Sequence, residues 1–230
     1  MNELVLNSAT FGVVLSLVGY GIGLWLKHRF KKPICNPLLI SIVFVIAVLL
    51  LCRIDYASYN ASARYLSYLL TPATVSLAVP LYAQLETLKK NLKAILISLT
   101  AGALASMGSI CAMAVLFGLT HEQYVTMLPK SITLAIGTGI AGELGGYPAI
   151  TAAVTIMTGI LCNVCAEGLS RLFRITDPVA KGLAIGASGH AIATTKAMEM
   201  GEVEGAMSSL AIVVSGLVTV LCAAFFAMLW

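Results

Sequence analysis

Long apolar runs separated by short polar turns set the pattern of this chain. Those at 6–26, 38–52, 94–119, 149–166 and 208–230 have a length suited to membrane-spanning helices. Three helix starts are marked by proline near the first turn: Asn36-Pro37, Tyr147-Pro148 and Asp177-Pro178.

Three further apolar segments are interrupted. In 65–82, Pro72 removes a backbone donor and disfavours helix at Thr71. This predicts a break near Thr71-Pro72 and a restart that places Ala73, Thr74, Val75 and Ser76 at a helix amino terminus. In 124–146, Leu128-Pro-Lys-Ser131 is followed by Thr133, Gly137, Thr138, Gly139, Gly142, Gly145 and Gly146. A re-entrant or discontinuous helix suits that composition, because irregular backbone at membrane depth survives only beside protein or a cavity. In Gly182 to Lys196, Gly186, Ser188 and Gly189 weaken the helix where His190, Thr194, Thr195 and Lys196 bring in polar groups. A His or Lys near the bilayer centre costs about 2.5 kcal/mol or more, so this interrupted segment faces a bundle interior or a watery cavity.

Composition supports the pattern. The 230 residues are 59% hydrophobic and 10% charged, with mean hydropathy +0.96. The expected fold is an all-α polytopic membrane protein of about seven to eight spans with discontinuous or re-entrant segments, one domain over 1–230. The formal charge of +4 comes from basic residues clustered in loops, where they set topology and give no sign of a nucleic-acid partner. The run Lys27 to Lys32 places the amino terminus outside, Lys89, Lys90 and Lys93 return to the cytoplasm, and Arg171, Arg174 and Lys181 do so again. Residues 53–64 read as an outer interfacial loop, and Glu199, Glu202 and Glu204 as an acidic outer turn. The six cysteines lie in or beside apolar runs and behave as small hydrophobes; Cys162-Asn-Val-Cys165 has redox spacing without the soluble βαβ context.

An internal repeat follows from the same landmarks, with halves at about 6–119 and 124–230. Asn36-Pro37 and its span match Tyr147-Pro148 and its span, and 71–84 matches 186–199. Loop charges point the paired spans in opposite directions, the sign of an inverted repeat whose discontinuous helices meet near the midplane.

Three chemistries compete. A transporter of small anions would gather Thr74, Ser76, Lys130, Ser131, Ser188, His190 and Thr194 around the solute. Lysine would neutralise a carboxylate, hydroxyls and amides would orient it, and His190 could move a proton. No cofactor is called for, though a proton or sodium ion could couple to transport. An enzyme reading rests on Gly186-Ala-Ser-Gly189, the GxSG of intramembrane serine proteases. It fails because His190, about 200° around a helix from Ser188, cannot serve as its base, and His28 and His121 fall in loops. Gly137-Thr-Gly-Ile-Ala-Gly142 spells a dinucleotide fingerprint but has no βαβ unit around it. The third reading is a regulatory or pore-forming protein whose polar breaks serve assembly.

Several motifs in order resemble the LrgB family of CidB-like, antiholin-like membrane proteins: Asn36-Pro-Leu-Leu39, 71–82, Leu128-Pro-Lys-Ser131, Gly145-Gly-Tyr-Pro148 and Gly189-His-Ala-Ile-Ala-Thr194. The family commonly has threonines and a proline after Pro-Lys-Ser, where this chain has Ile132 to Gly137. It usually has Ser-His and then Gly-Thr, where this chain has Gly189-His190 and Ala193-Thr194. The resemblance implies a bacterial plasma-membrane protein tied to control of murein hydrolases and lysis, working with a small LrgA-like partner. It also implies kinship with a plastid glycolate and glycerate translocator and with pyruvate uptake. The combined expectation is a monocarboxylate transporter, a homodimer in the lipid bilayer; the alternative is a lysis regulator that moves no solute.

Overall fold

The computed structural model describes residues 10–30 and 36–230, apart from the side chains of Leu70, Thr74 and Leu81. The described residues are helical with connecting turns, and the chain divides into two compact units, Met1–Ser76 and Leu77–Trp230.

The first unit is built on α1 (Phe11–Phe30) and α2 (Pro37–Leu51). Asn36 caps α2, its side-chain oxygen accepting from the Leu38 amide at 2.8 Å, with Pro37 at the first helical position. Glycines on α1 let other backbone approach: Gly19 lies against Ser41 and Gly23 against Pro37. The segment expected as an outer loop is instead α3 (Tyr56–Ala63), held on α1 by Gly12 N–H donating to Ser62 Oγ (2.7 Å) and by a Ser16–Tyr59 hydroxyl pair (2.7 Å). A 3₁₀ stretch, Arg64–Leu69, leads into α4 (Leu70–Ser76). The predicted break at Thr71-Pro72 is absent. Pro72 falls in the first turn of α4, where its missing donor costs nothing, and the helical path is interrupted at Leu77 instead. The predicted start of the first span at residue 6 and the end of the basic run at Lys31 and Lys32 lie outside the described residues.

The second unit comprises α5 (Ala78–Ala83), α6 (Leu85–Phe117), α7 (His121–Met127), α8 (Leu134–Glu143), α9 (Pro148–Leu172), α10 (Pro178–Met200) and α11 (Glu202–Ala227). The predicted starts at Pro148 and Pro178 are present, and Asp177 caps α10 by accepting from the Ala180 amide at 2.8 Å. Among the described residues four helices, α1, α6, α9 and α11, are long and apolar enough to cross a membrane, and α2 is a shorter apolar helix.

Two stretches of the second unit fold back on themselves. After α7 the chain turns through 128–133 and returns along α8, so that Gly137 meets Pro129 and Gly146 meets Thr126. The Tyr147 amide donates to Thr126 Oγ1 (2.8 Å) and Thr151 Oγ1 donates to the Thr126 carbonyl (2.9 Å). The other is α10, whose helical backbone is broken at His190 (φ 42°, ψ −144°).

A straight helix would place Gly182 and Met198 about 24 Å apart. Instead Gly182 lies against Glu204, and Met198 against Gly205, its neighbour. Gly186 meets Ser208, and Thr194 bonds the same Ser208. Ile185, Ala193 and Ala197 share one apolar cluster with Ala166 of α9. The helix is thus a hairpin with His190 at its tip. Its arms are about 18 and 15 Å long, near half of a hydrocarbon core of about 30 Å.

The two fold-backs open at opposite ends of the unit. The first opens where α6 ends, α9 begins and α11 finishes; there Tyr124 Oη donates to the Phe226 carbonyl (2.8 Å) and Trp230 Nε1 to the Leu119 carbonyl (2.8 Å). The second opens where α9 ends and α11 begins. Lys89, Lys90 and Lys93 on the first turns of α6, together with Arg171, Arg174, Lys181 and Lys196, lie at this second end, so of the unit's lysines and arginines only Lys130 is elsewhere. Glu199 and Glu204 line the same cavity as Arg174 and Lys181. This corrects the expectation that the acidic turn lies on the face opposite the basic loop: the hairpin returns the chain to the face it entered from.

Candidate functional site

Two polar clusters sit on the second unit's helices, each carried by one fold-back. The first is at the turn between α7 and α8. Pro129, lacking a donor, helps end the helical path after Leu128, and the Lys130 amide donates to the Met127 carbonyl at 3.1 Å. Lys130 Nζ then donates to Ser131 Oγ (2.9 Å) and reaches Ser106 Oγ on α6 at 3.5 Å, and the two hydroxyls stand 3.3 Å apart. Ser106 lies about 16 Å along the axis from the end of α6, so the ammonium is held at mid-depth for a core of about 30 Å. Lys130 is partly buried. Among the described residues no carboxylate pairs with it. An ammonium with two hydroxyls and no counter-charge is an arrangement that takes a small anion.

The second cluster is the tip of α10. His190 is 4% exposed, and its Nε2 lies 3.0 Å from the carbonyl oxygen of Thr155 on α9. Gly159, one turn further on, makes room for the ring: a methyl there would stand 2.9 Å from Cε1. Thr194 donates to the His190 carbonyl (2.9 Å) and shares a 2.8 Å hydrogen bond with Ser208 of α11. Asn163 Nδ2 donates to the Ile192 carbonyl (2.9 Å) and to Thr195 Oγ1 (3.0 Å), which pins the outgoing arm to α9. The hydroxyl of Thr155 is buried without a hydrogen-bond partner among the described residues.

Of the residues expected to gather around a solute, Lys130 with Ser131 and His190 with Thr194 form these two clusters. No hydrogen bond joins them among the described residues; on α9, Thr155 meets His190, while Thr151, one turn earlier, bonds the Thr126 carbonyl of α7. Ser188 is exposed on the incoming arm and belongs to neither. Ser76 ends α4 instead of beginning a helix; it is exposed, its hydroxyl donates to the Ala73 carbonyl (2.7 Å), and it belongs to the first unit. Thr74 shares that helix, and its side chain lies outside the described residues. Sequence reasoning missed Ser106, Thr155, Asn163 and Ser208. Ser106 sits among small residues that read as a helix-packing face, and the others look like ordinary polar residues of apolar spans.

Comparison with known proteins covers almost the whole chain. A model of the LrgB-like family matches residues 16–229. Antiholin-like protein LrgB of Bacillus mycoides (strain KBAB4) is 38% identical over 211 residues, 91% of this chain and 92% of that protein. The proteins of the same name from Bacillus cereus (strain B4264) and Bacillus anthracis (strain CDC 684 / NRRL 3495) match to the same extent. No solved structure matches the chain. With the family model spanning both clusters and nearly the whole chain, the chain belongs to the LrgB-like family of membrane proteins.

Proposed function

We propose that this chain is an antiholin-like regulator of murein hydrolase activity and cell lysis, seated in the bacterial plasma membrane and not itself an enzyme. The similarity to antiholin-like LrgB proteins along 91% of the chain carries this reading. The basic end of the second unit faces the cytoplasm by the positive-inside rule. The amino terminus outside, a homodimer, a small LrgA-like partner, crossings beyond the four long apolar helices and an inverted repeat over 6–119 and 124–230 belong to the same proposal. Its test is complementation of a bacterium deleted for its own LrgB-like gene. Expression should lower murein hydrolase activity in cell extracts and delay autolysis. Unchanged lysis with the protein present in the membrane would overturn it.

A second reading is favoured by one observation, the half-buried Lys130 ammonium with two hydroxyls and no carboxylate. On this reading the chain carries small monocarboxylates of the glycolate, glycerate, pyruvate or lactate type, with a proton or sodium ion as the coupling ion. Proteoliposomes should then take up labelled glycolate or pyruvate, and Lys130→Met should reduce uptake at least about a hundredfold, as loss of a charge-assisted contact of about 3 kcal/mol requires. Uptake equal to that of empty liposomes would leave the regulatory reading alone.

A further inference from the structure

The open end of the α10 hairpin holds a cavity of about 750 Å³, within the size range of small-molecule sites. Its walls come from the end of α9, the loop to α10, both arms of the hairpin and the first turn of α11. Some of its charges cancel. Arg171 donates to Glu167 at 2.6 Å, and Lys196 lies 3.2 Å from Glu167 and 3.6 Å from Glu199. Arg174 and Lys181 have no ion pair among the described residues, and neither does Glu204, which is 9% exposed. The uncompensated charges are therefore two cations and one carboxylate, a balance of one positive charge.

We propose that this cavity binds a phosphodiester head group, that of an anionic phospholipid of the cytoplasmic leaflet, with Arg174 and Lys181 on the phosphate. A guanidinium and an ammonium on separate walls suit a tetrahedral anion with several acceptor oxygens. Glu204 can only accept, so it suits a head-group hydroxyl. The single excess positive charge matches a phosphodiester monoanion. Three observations point to a lipid source. The cavity lies at helix ends, where head groups lie; it lies at the basic end of the unit, which anionic lipids favour. Between the lining residues Arg171 and Arg174 in sequence, Leu172 (72% exposed) and Phe173 (69% exposed) present apolar side chains at the end of α9, against which acyl chains can lie. Arg174 is also held at φ 53°, a left-handed conformation uncommon outside glycine, in the turn that ends α9. This site does not depend on either reading of Lys130 and is tested separately.

The experiment measures binding of dioctanoyl phosphatidylglycerol, dioctanoyl phosphatidylcholine and glycerol 3-phosphate to the full chain in neutral detergent, by native mass spectrometry. Phosphatidylglycerol should bind at least about tenfold more tightly than phosphatidylcholine. The R174Q/K181Q variant should lose at least about tenfold in phosphatidylglycerol affinity. R174K should retain it, and R53Q, in the first unit, should bind as the parent does. A double variant with the parent's circular dichroism and its phosphatidylglycerol affinity would overturn the proposal. Glycerol 3-phosphate binding as tightly as the lipid would overturn the lipid source, and phosphatidylcholine binding equal to phosphatidylglycerol would overturn the role given to charge.

Discussion

Gly182 and Met198, sixteen positions apart in one run of helical residues, both lie against the first turn of α11, Gly182 on Glu204 and Met198 on Gly205. A chain that passed straight through His190 could not do this. The hairpin therefore makes the whole of α10 an insertion from one end of the unit, beside α9 and α11, which are long and apolar enough to cross a membrane. The tip with the buried histidine comes to rest on Thr155 and Gly159.

The backbone of His190, at φ 42° and ψ −144°, occupies a region that side-chain-bearing residues avoid, at a cost of about 1–3 kcal/mol. Glycine adopts it freely. His190→Gly should therefore be more stable than His190→Ala by about 1–2 kcal/mol, although both lose the hydrogen bond to Thr155. Thermal unfolding in detergent checks this, and a glycine variant less stable than the alanine variant would refute the assigned backbone.

Close approach of the incoming arm to α11 depends on the absence of a side chain at Gly186. A methyl there would collide with the Ser208 carbonyl oxygen and stand 2.8 Å from Ala211 Cβ. Gly186→Ala should destabilise by about 1–3 kcal/mol, as overpacking does. Gly102→Ala, where nothing among the described residues lies within 4 Å of the added methyl, should be neutral or stabilising by up to about 1 kcal/mol. Equal melting temperatures for the two variants would contradict the packing described.

Two buried threonines should respond in opposite ways to valine. Thr194 spends its hydroxyl on the His190 carbonyl and on Ser208, so Thr194→Val should cost about 1–3 kcal/mol. The Thr155 hydroxyl has no partner among the described residues, so Thr155→Val should leave stability unchanged or raise it. A large loss at Thr155, measured by unfolding in the same detergent, would mean that its hydroxyl is satisfied in the working protein.

Much of this was legible in the sequence, for reasons that differ by segment. The caps at Asn36 and Asp177 and the prolines after them are local chemistry, and the helices start where they indicate. Glycines and a histidine between Gly186 and His190 marked an interruption, and one is there. Its sense was not legible, because a kink and a reversal draw on the same residues; only the shared partners on α11 distinguish them. Proline misled at Thr71-Pro72, since a first-turn proline and a helix-breaking one look alike until the helix start is known. The acidic residues after α10 were assigned to the wrong face because counting crossings gives the wrong parity when one element turns back. Ser106 was invisible as a partner of Lys130, for nothing within either segment ties two residues 24 positions apart.

The most direct test of the hairpin is the sidedness of its two ends. Lys181→Cys and Glu199→Cys, made singly in a chain whose native cysteines are replaced by alanine, are treated in intact cells and in inverted vesicles with a membrane-impermeant maleimide. Both cysteines should label in inverted vesicles and neither in intact cells. Labelling of the two positions from opposite faces would mean that the chain crosses the membrane at His190, and the architecture described here would be wrong.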